Sequence, residues 1–259
     1  MANKLDLTIF QKRGYDLFVA QDKQALDELR NEIFEKAKSL VPYKGETVEI
    51  FFNGFHSYGL TSTELNKFRL EMIGHCTKHL NVNRRLHSIF KNVLTELVGS
   101  DVAAQRGVNI VIQPPGDPDV SPVHRDAPAN SHFEVVVWLP LVDVFGTKSM
   151  YILDKPKTEY GMALLQSGKS YGEFASYTTS QSQDLAVNYG SACFFAAGMA
   201  HGVHINKEKE TRWSLNLRFK NLFSPYGPKG LLEYFEIIQL SPLSKVAFEL
   251  EKKEYEQQK

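Results

Sequence analysis

The sequence predicts a mainly β protein with helices (α+β), of the sandwich-or-barrel kind, within its 259 residues. Three observations carry that expectation. Before residue 100 apolar residues recur at helical spacing, and after it the apolar residues gather in short runs rich in Val, Ile, Phe and Tyr. No internal repeat and no linker splits the chain, so residues 1–259 read as one domain. Its parts are a helical region 1–100, a β core 101–223 and an extension 224–259.

Taken in order, Asp22–Leu40 places Leu26, Leu29, Ile33, Phe34 and Ala37 on one stripe and charges on the other, a helix with one buried face. Thr47–Phe52, short and apolar, reads as a strand. Thr61–Leu80 opens on Thr61-Ser-Thr-Glu64, a capping box, and turns Leu65, Phe68, Met72 and Ile73 inward. A third helix spans roughly Arg84–Val98. The expected strands are Val108–Gln113, Phe133–Val142, Ser149–Leu153, Ala192–Ala196, Gly202–Asn206 and Arg212–Phe219, each bounded by Gly, Pro or Asp. Asp154–Asp184 is polar and poor in aliphatics, which reads as a long loop over a sheet. Leu231–Leu240 forms a closing helix or strand, and the charged tail Glu249–Lys259 reads as a fraying helical end.

Composition excludes several partners. With 30 Lys+Arg against 30 Asp+Glu the chain has no cationic surplus for phosphate neutralisation, so nucleic acid is not expected. The apolar run Val135–Leu139 falls far short of the roughly 20 residues a membrane helix needs, so no membrane partner is expected. The start Met1-Ala-Asn-Lys-Leu-Asp lacks a signal-peptide pattern, and Cys76 and Cys193 without a CxxC make a disulfide framework improbable. A cytoplasmic protein with a small or neutral partner is the expectation.

Chemistry concentrates at His124-Arg-Asp126, after the Pro-rich turn Gln113–Pro122. In extended chain, residues i and i+2 share a face, so His124 and Asp126 can hold one ion together. His201, after the apolar strand Ala192–Ala197, is the third candidate. Two histidines and one carboxylate with open positions make the facial triad of non-haem Fe(II) oxygenases. An HxD pair alone is weak, because a loop hydrogen bond accounts for it. Arg212-Trp-Ser214 strengthens it. By strand alternation Arg212, Ser214, Asn216 and Arg218 share one face, and polar groups turned into a sandwich interior are costly unless something charged binds there. A dicarboxylate suits that face, since Arg grips a carboxylate bidentately and Ser adds a hydrogen bond.

HxD, a distant His and Arg-x-Ser together resemble the Fe(II)/2-oxoglutarate-dependent dioxygenases. His201-Gly-Val-x-x-Asn206 followed by Arg212-x-Ser214 is most similar to the phytanoyl-CoA-dioxygenase-like branch, as is Gly14-Tyr-Asp-Leu-Phe with its following helix. A weaker likeness is to oxygenases of bacterial carbohydrate and aminoglycoside gene clusters. The metal and cosubstrate motifs span residues 124–214, and the helices before residue 100 match only in general character.

The resemblance implies a double-stranded β-helix, a jelly-roll with an open mouth, and N-terminal helices on its larger sheet. It implies Fe(II) held by His124, Asp126 and His201. It further implies 2-oxoglutarate paired with Arg212 and assisted by Ser214, with Gln113 as a further polar contact. It also implies O2 as co-reactant and release of succinate and CO2. Hydroxylation of a small polar metabolite, such as a carbohydrate or its conjugate, is the default outcome; desaturation and ring closure use the same centre. Related halogenases lack the carboxylate that Asp126 supplies, which argues against halogenation. Leu153-Asp-Lys-Pro156 departs from the family's Pro-Gly-Ser-His-like segment, so no relative's substrate transfers.

Other readings compete. His204 has the opposite strand parity to His201 and suits the surface. His75 and His79, four apart on a helix, lack a glutamate of the HExxH type. His124-Arg-Asp126 mimics a kinase catalytic loop, but Ser131 stands where that loop needs Asn. Trp138 reads as core packing, Arg125 as facing away from the ligands, and Arg218 as either a cosubstrate contact or the partner of a nearby carboxylate. Tyr151, Tyr160, Tyr171 and Tyr177 are candidates for lining a sugar-like substrate. A non-oxidative, cupin-like metal-binding or isomerase protein is the alternative of a different class, and it has no need of an Arg-x-Ser clamp. A degenerate scaffold would need none of the five motif residues.

Overall fold

The computed structural model describes residues 5–257. Its first third is helical, as the spacing predicts. A short helix α1 (Thr8–Arg13) leads into strand β1 (Tyr15–Val19), and α2 follows as Lys23–Lys38, with the Asp22 side chain accepting from the Ala25 amide. The expected stripe of α2 is buried: Leu26, Leu29, Ile33, Phe34 and Ala37. The helix α3 (Val48–Asn53) precedes α4 (Ser62–Lys78), whose capping box between Thr61 and Glu64 forms as anticipated.

Two helical segments differ from expectation. Thr47–Phe52 is not a strand. The Thr47 hydroxyl accepts from the Ile50 amide, an N-cap that starts α3. Phe51 and Phe52 are adjacent yet both buried, because α3 is wedged between α2 and the sheet. Phe51 packs on Phe34 (5.2 Å between ring centroids) and Phe52 on Trp213 (4.9 Å). The single helix expected over Arg84–Val98 is two, α5 (Val82–Ile89) and α6 (Lys91–Val98). Phe90, at φ −116° and ψ 30°, breaks them and drops its buried ring against Phe194 at 5.2 Å.

The β elements then follow. Strands β2 (Val102–Gln105), β3 (Asn109–Gln113), β4 (Glu134–Pro140) and β5 (Met150–Ile152) precede a helical hairpin. This hairpin, α7 (Lys155–Gln166) and α8 (Tyr171–Gln181), occupies the segment expected to be a polar loop. The signals for it are caps rather than aliphatics. The Asp154 carboxylate accepts from the Lys157 amide ahead of Pro156, and Ser170 forms a capping box with Glu173. The hairpin buries little, chiefly Phe174 with Val123, Tyr151, Leu153 and Ala200, which is why its periodicity is faint.

Strands β6 (Gln183–Asp184), β7 (Ser191–Ala196), β8 (His201–Val203), β9 (Arg212–Asn221) and β10 (Phe235–Gln239) come next, and α9 (Pro242–Gln257) ends the described chain. The last two residues of the charged tail, and Met1–Lys4 of the expected signal-free start, lie outside the described residues. Among the described residues no helix is long and apolar enough to cross a membrane. Cys76 and Cys193 are both buried free thiols.

The described strands form two antiparallel sheets. The larger runs β1-β7-β4-β9-β2-β10, and β3 shares one edge of β9 with β2. The smaller runs β6-β5-β8. Strand β4, whose residues are all buried, is covered on both faces. Alternation along β9 is as the sequence requires: Trp213, Leu215, Leu217 and Phe219 join the main apolar core. Trp213 meets Phe52, Phe55 and Phe68 of the N-terminal region at 4.9, 5.0 and 5.9 Å. The opposite face of β9 is thereby turned toward the small sheet.

Candidate metal centre

A cavity of about 480 Å³ separates the two sheets. Asn109, Val111, Trp138, Phe195, Arg212, Asn216 and Arg218 line it from the large sheet, and Met150, His201, Gly202 and Val203 from the small one. Within it stand His124, Asp126 and His201, whose ligand atoms all lie within 4.8 Å of one another. Among the described residues no other group of three His, Cys, Asp or Glu side chains is so placed.

Backbone pairing brings the two histidines together. The His124 amide donates to the His201 carbonyl and the His201 amide to the His124 carbonyl, both at 2.9 Å, so the HxD segment extends the small sheet. Their rings lie 4.3 Å apart. Each Nδ1 sits beside a carbonyl, that of Pro122 for His124 (2.8 Å) and that of Met199 for His201 (2.9 Å). A carbonyl only accepts, so Nδ1 carries the proton and Nε2 presents its lone pair to the cavity. Burial, reinforced by neighbouring His124, pushes the His201 imidazole down to about 4, which keeps it in the neutral form a metal requires.

Asp126 is buried and its backbone is fixed. The Asn130 amide and Nδ2 both donate to its carbonyl, at 2.9 and 3.1 Å, and the next amide, of Ala127, donates to Ala197 at 2.9 Å. Its Oδ1 lies 4.0 Å from His124 Nε2, and its Oδ2 forms an ion pair with Arg218 Nη2 at 2.8 Å. Burial works to lower the Arg218 guanidinium, but the Asp126 charge outweighs it and holds Arg218 above the ordinary value.

The polar face of β9 carries the second half of the site. Arg212 is 2% exposed, and among the described residues its side chain makes one hydrogen bond, Nη1 donating to the Ser149 carbonyl at 3.1 Å. No carboxylate pairs with it among the described residues. Burial drops its guanidinium to about 10, so it remains charged at neutral pH. Arg212 Nε, Ser214 Oγ, Ser149 Oγ and Asn216 Oδ1 are all buried without a partner. A buried cation surrounded by orphaned polar atoms is an unfinished anion site. Two imidazoles and one carboxylate fit a divalent ion such as Fe(II), and the Arg212 face fits a carboxylate cosubstrate.

Other sequence candidates fall outside this constellation. Gln113, opposite Arg212 in the β3–β9 register, is buried and donates from Nε2 to the His204 carbonyl at 2.8 Å. It lines an adjoining cavity of about 280 Å³ that shares Arg69, Val111 and Asp119 with the larger one. His204 lies 3.4 Å from Asp184, and its ring is tilted against Tyr151 at 4.5 Å. His75 and His79 have ring centroids 5.2 Å apart, and among the described residues no third ligand joins them. Trp138 is both core and cavity wall. Tyr160 and Tyr177 meet as tilted rings at 5.0 Å, and Tyr171 donates to the Val123 carbonyl. None of these tyrosines, nor Tyr151, lines the cavity. Gln105 and Tyr234, which hold Arg218, went unnoticed in the sequence because the register that places them is long-range.

No family model matches the chain, and no curated protein matches it in sequence. Solved structures do match in shape. The chain is similar to a non-heme monooxygenase, ThoJ, in its nickel complex, at 14% identity over 92% of this chain and 86% of that one, with a TM-score of 0.53. It is similar to EctD from S. alaskensis, solved with 2-oxoglutarate and 5-hydroxyectoine, at 11% identity over 82% and 74% with a TM-score of 0.56. It is also similar to SnoK, a non-heme alpha ketoglutarate dependent carbocyclase from nogalamycin biosynthesis, at 13% identity over 85% and 84% with a TM-score of 0.52. The chain has the fold of these non-heme enzymes, and its His–Asp–His group sits in the cavity between the sheets.

Proposed function

We propose that this protein is an Fe(II)/2-oxoglutarate-dependent oxygenase that hydroxylates a small polar metabolite, releasing succinate and CO2. One observation carries it: a buried, charged, carboxylate-free Arg212 shares a cavity with a His–Asp–His group whose Nε2 atoms are presented inward. The two sheets facing each other across that cavity are then the halves of a double-stranded β-helix, residues 1–259 forming one oxygenase domain. The likeness to ThoJ, SnoK and EctD in fold supports the choice of chemistry.

In this assignment His124 and His201 give Nε2 and Asp126 gives Oδ1 to the iron. Arg212 receives the distal carboxylate of 2-oxoglutarate, with Ser214 donating beside it. Iron with bound 2-oxoglutarate supplies oxidation by O2 coupled to decarboxylation. The chain's own residues supply position. Trp138, Met150 and Phe195 wall the centre with apolar surface and exclude water. Arg69, Asn109, Asp119 and Ser121 give the cavity its remaining polar lining, which suits a polar substrate.

The test is coupled turnover. Purified protein with Fe(II), ascorbate and 2-oxoglutarate is expected to consume O2 and release succinate in equal amounts, and Arg212→Met is expected to abolish it. Metal binding without any 2-oxoglutarate-dependent O2 consumption would instead support a non-oxidative, cupin-like protein.

A further inference from the structure

Asp126 has two oxygens, and a metal centre of this kind works only if one of them binds. A carboxylate that chelates through both fills a coordination position needed for cosubstrate or O2. The structure shows what separates them. Oδ2 pairs by charge with Arg218 Nη2 at 2.8 Å, without hydrogen-bond geometry, and Oδ1 faces His124 Nε2 at 4.0 Å. We propose that Arg218 is the positioning residue of the metal centre: it ties up Asp126 Oδ2 so that Oδ1 alone is offered to the ion. The inference rests on the metal-centre assignment above.

The guanidinium is itself fixed from behind. Arg218 Nη1 donates to Gln105 Oε1 at 3.1 Å and lies 3.2 Å from Tyr234 Oη. Gln105 cannot turn its amide away, because its Nε2 donates to the Gly107 carbonyl at 2.6 Å. Gln105 ends β2, and Tyr234 immediately precedes β10, the strand that pairs with β2. A strand at the far end of the chain thus holds a metal ligand in place through one side chain. Lysine could not take this role, since a point charge cannot hold Asp126, Gln105 and Tyr234 in a planar fork.

The probe is Mn(II), titrated into the full-length protein without 2-oxoglutarate and followed by electron paramagnetic resonance. Arg218→Met and Arg218→Lys each free Oδ2 to chelate beside Oδ1, so each is expected to displace one Mn(II)-bound water, read as less line broadening in 17O water, and to change Mn(II) affinity roughly 10- to 100-fold, the usual range for a group that orients a metal ligand. Tyr234→Phe, which leaves the ion pair intact, is expected to change both less than Arg218→Met does. Because loss of a buried arginine can simply disturb folding, the deciding measurement is the cycle with Asp126→Ala. If Arg218 acts through Asp126, Arg218→Met has no further effect on the residual Mn(II) affinity of Asp126→Ala. Additive changes in the cycle, or wild-type affinity in Arg218→Met while His124→Ala loses the metal, overturn the positioning role and leave the metal centre standing. Absence of Mn(II) binding by the wild type overturns both.

Discussion

Replacing Arg212 by methionine keeps an apolar stem of similar length and removes the buried charge. Two effects of opposite sign follow. In the ligand-free protein burial holds the guanidinium at about 10, more than two decades below its ordinary value, which at 1.36 kcal/mol per decade means roughly 3 kcal/mol of destabilisation of the charged form. The folded value lies below the unfolded one for a base, so that cost is fully present below about pH 10 and is relieved only as pH rises above about 10 toward the unfolded value. The lost bond to the Ser149 carbonyl returns about 1 kcal/mol, leaving a net gain of about 2 kcal/mol. For a chain of this size that raises Tm by about 4 to 8 °C. Toward 2-oxoglutarate the sign reverses. Truncating one partner of a buried charge pair costs about 2 to 5 kcal/mol, or roughly 30- to 5,000-fold in Kd. The assay is thermal unfolding with Mn(II), with and without 2-oxoglutarate: the wild type gains stability from the cosubstrate, and the variant starts higher and gains nothing. A variant that starts lower, yet still responds to 2-oxoglutarate, refutes the assignment of Arg212.

Three further outcomes are expected. Trp213→Ala, in the fully buried ring cluster of Phe52, Phe55 and Phe68, costs about 3 to 5 kcal/mol, read as a lower urea midpoint at constant slope. Trp213→Phe costs much less, since it also removes an indole N–H that has no partner. A Cβ on Gly202 would lie 2.4 Å from Tyr151 Oη and 3.1 Å from the Ser121 carbonyl, so Gly202→Ala displaces β8 and His201 with it. It is expected to cost about 1 to 3 kcal/mol and to lower Mn(II) affinity, and Tyr151→Phe does not rescue it, because the ring Cζ would still lie 2.6 Å from the added methyl. Ser170→Ala removes the cap of α8, about 1 kcal/mol seen as faster amide exchange in that helix. Lys169 and the Ser170 groups hold the Glu173 carboxyl at about 2, below its ordinary 4.5. Its support of α8 is therefore complete above about pH 4.5 and is lost as pH falls through about 2.

Residues whose structure is set by their neighbours in sequence were legible, and those set by distant register were not. The stripe of α2 and the Thr61–Glu64 box are local patterns that fold as written. The alternation of β9 is local too, and it separates Arg212 and Arg218 from Trp213 and Leu215 without reference to any partner strand. His124 and Asp126 were readable as a pair because i and i+2 share a face. His201 joined them through the backbone ladder to His124, a pairing only a motif could suggest. The failures have a common cause. Thr47–Phe52 reads as a strand because it is short and apolar, and the α7–α8 segment as a loop because it lacks aliphatics, while Thr47, Asp154 and Ser170 each cap a helix. Hydrophobic pattern is a poor guide where a helix is short or buries only one or two side chains. The clamp on Arg218 drew on Gln105 and Tyr234, which meet only because β10 pairs with β2.

The most direct test of the central claim is an anaerobic titration of Fe(II) into the protein with 2-oxoglutarate, followed in the visible. A weak charge-transfer band that saturates at one iron per chain, and that is lost in His124→Ala and in Arg212→Met, is the predicted result. No band in the wild type, together with iron binding that His124→Ala leaves unchanged, contradicts it.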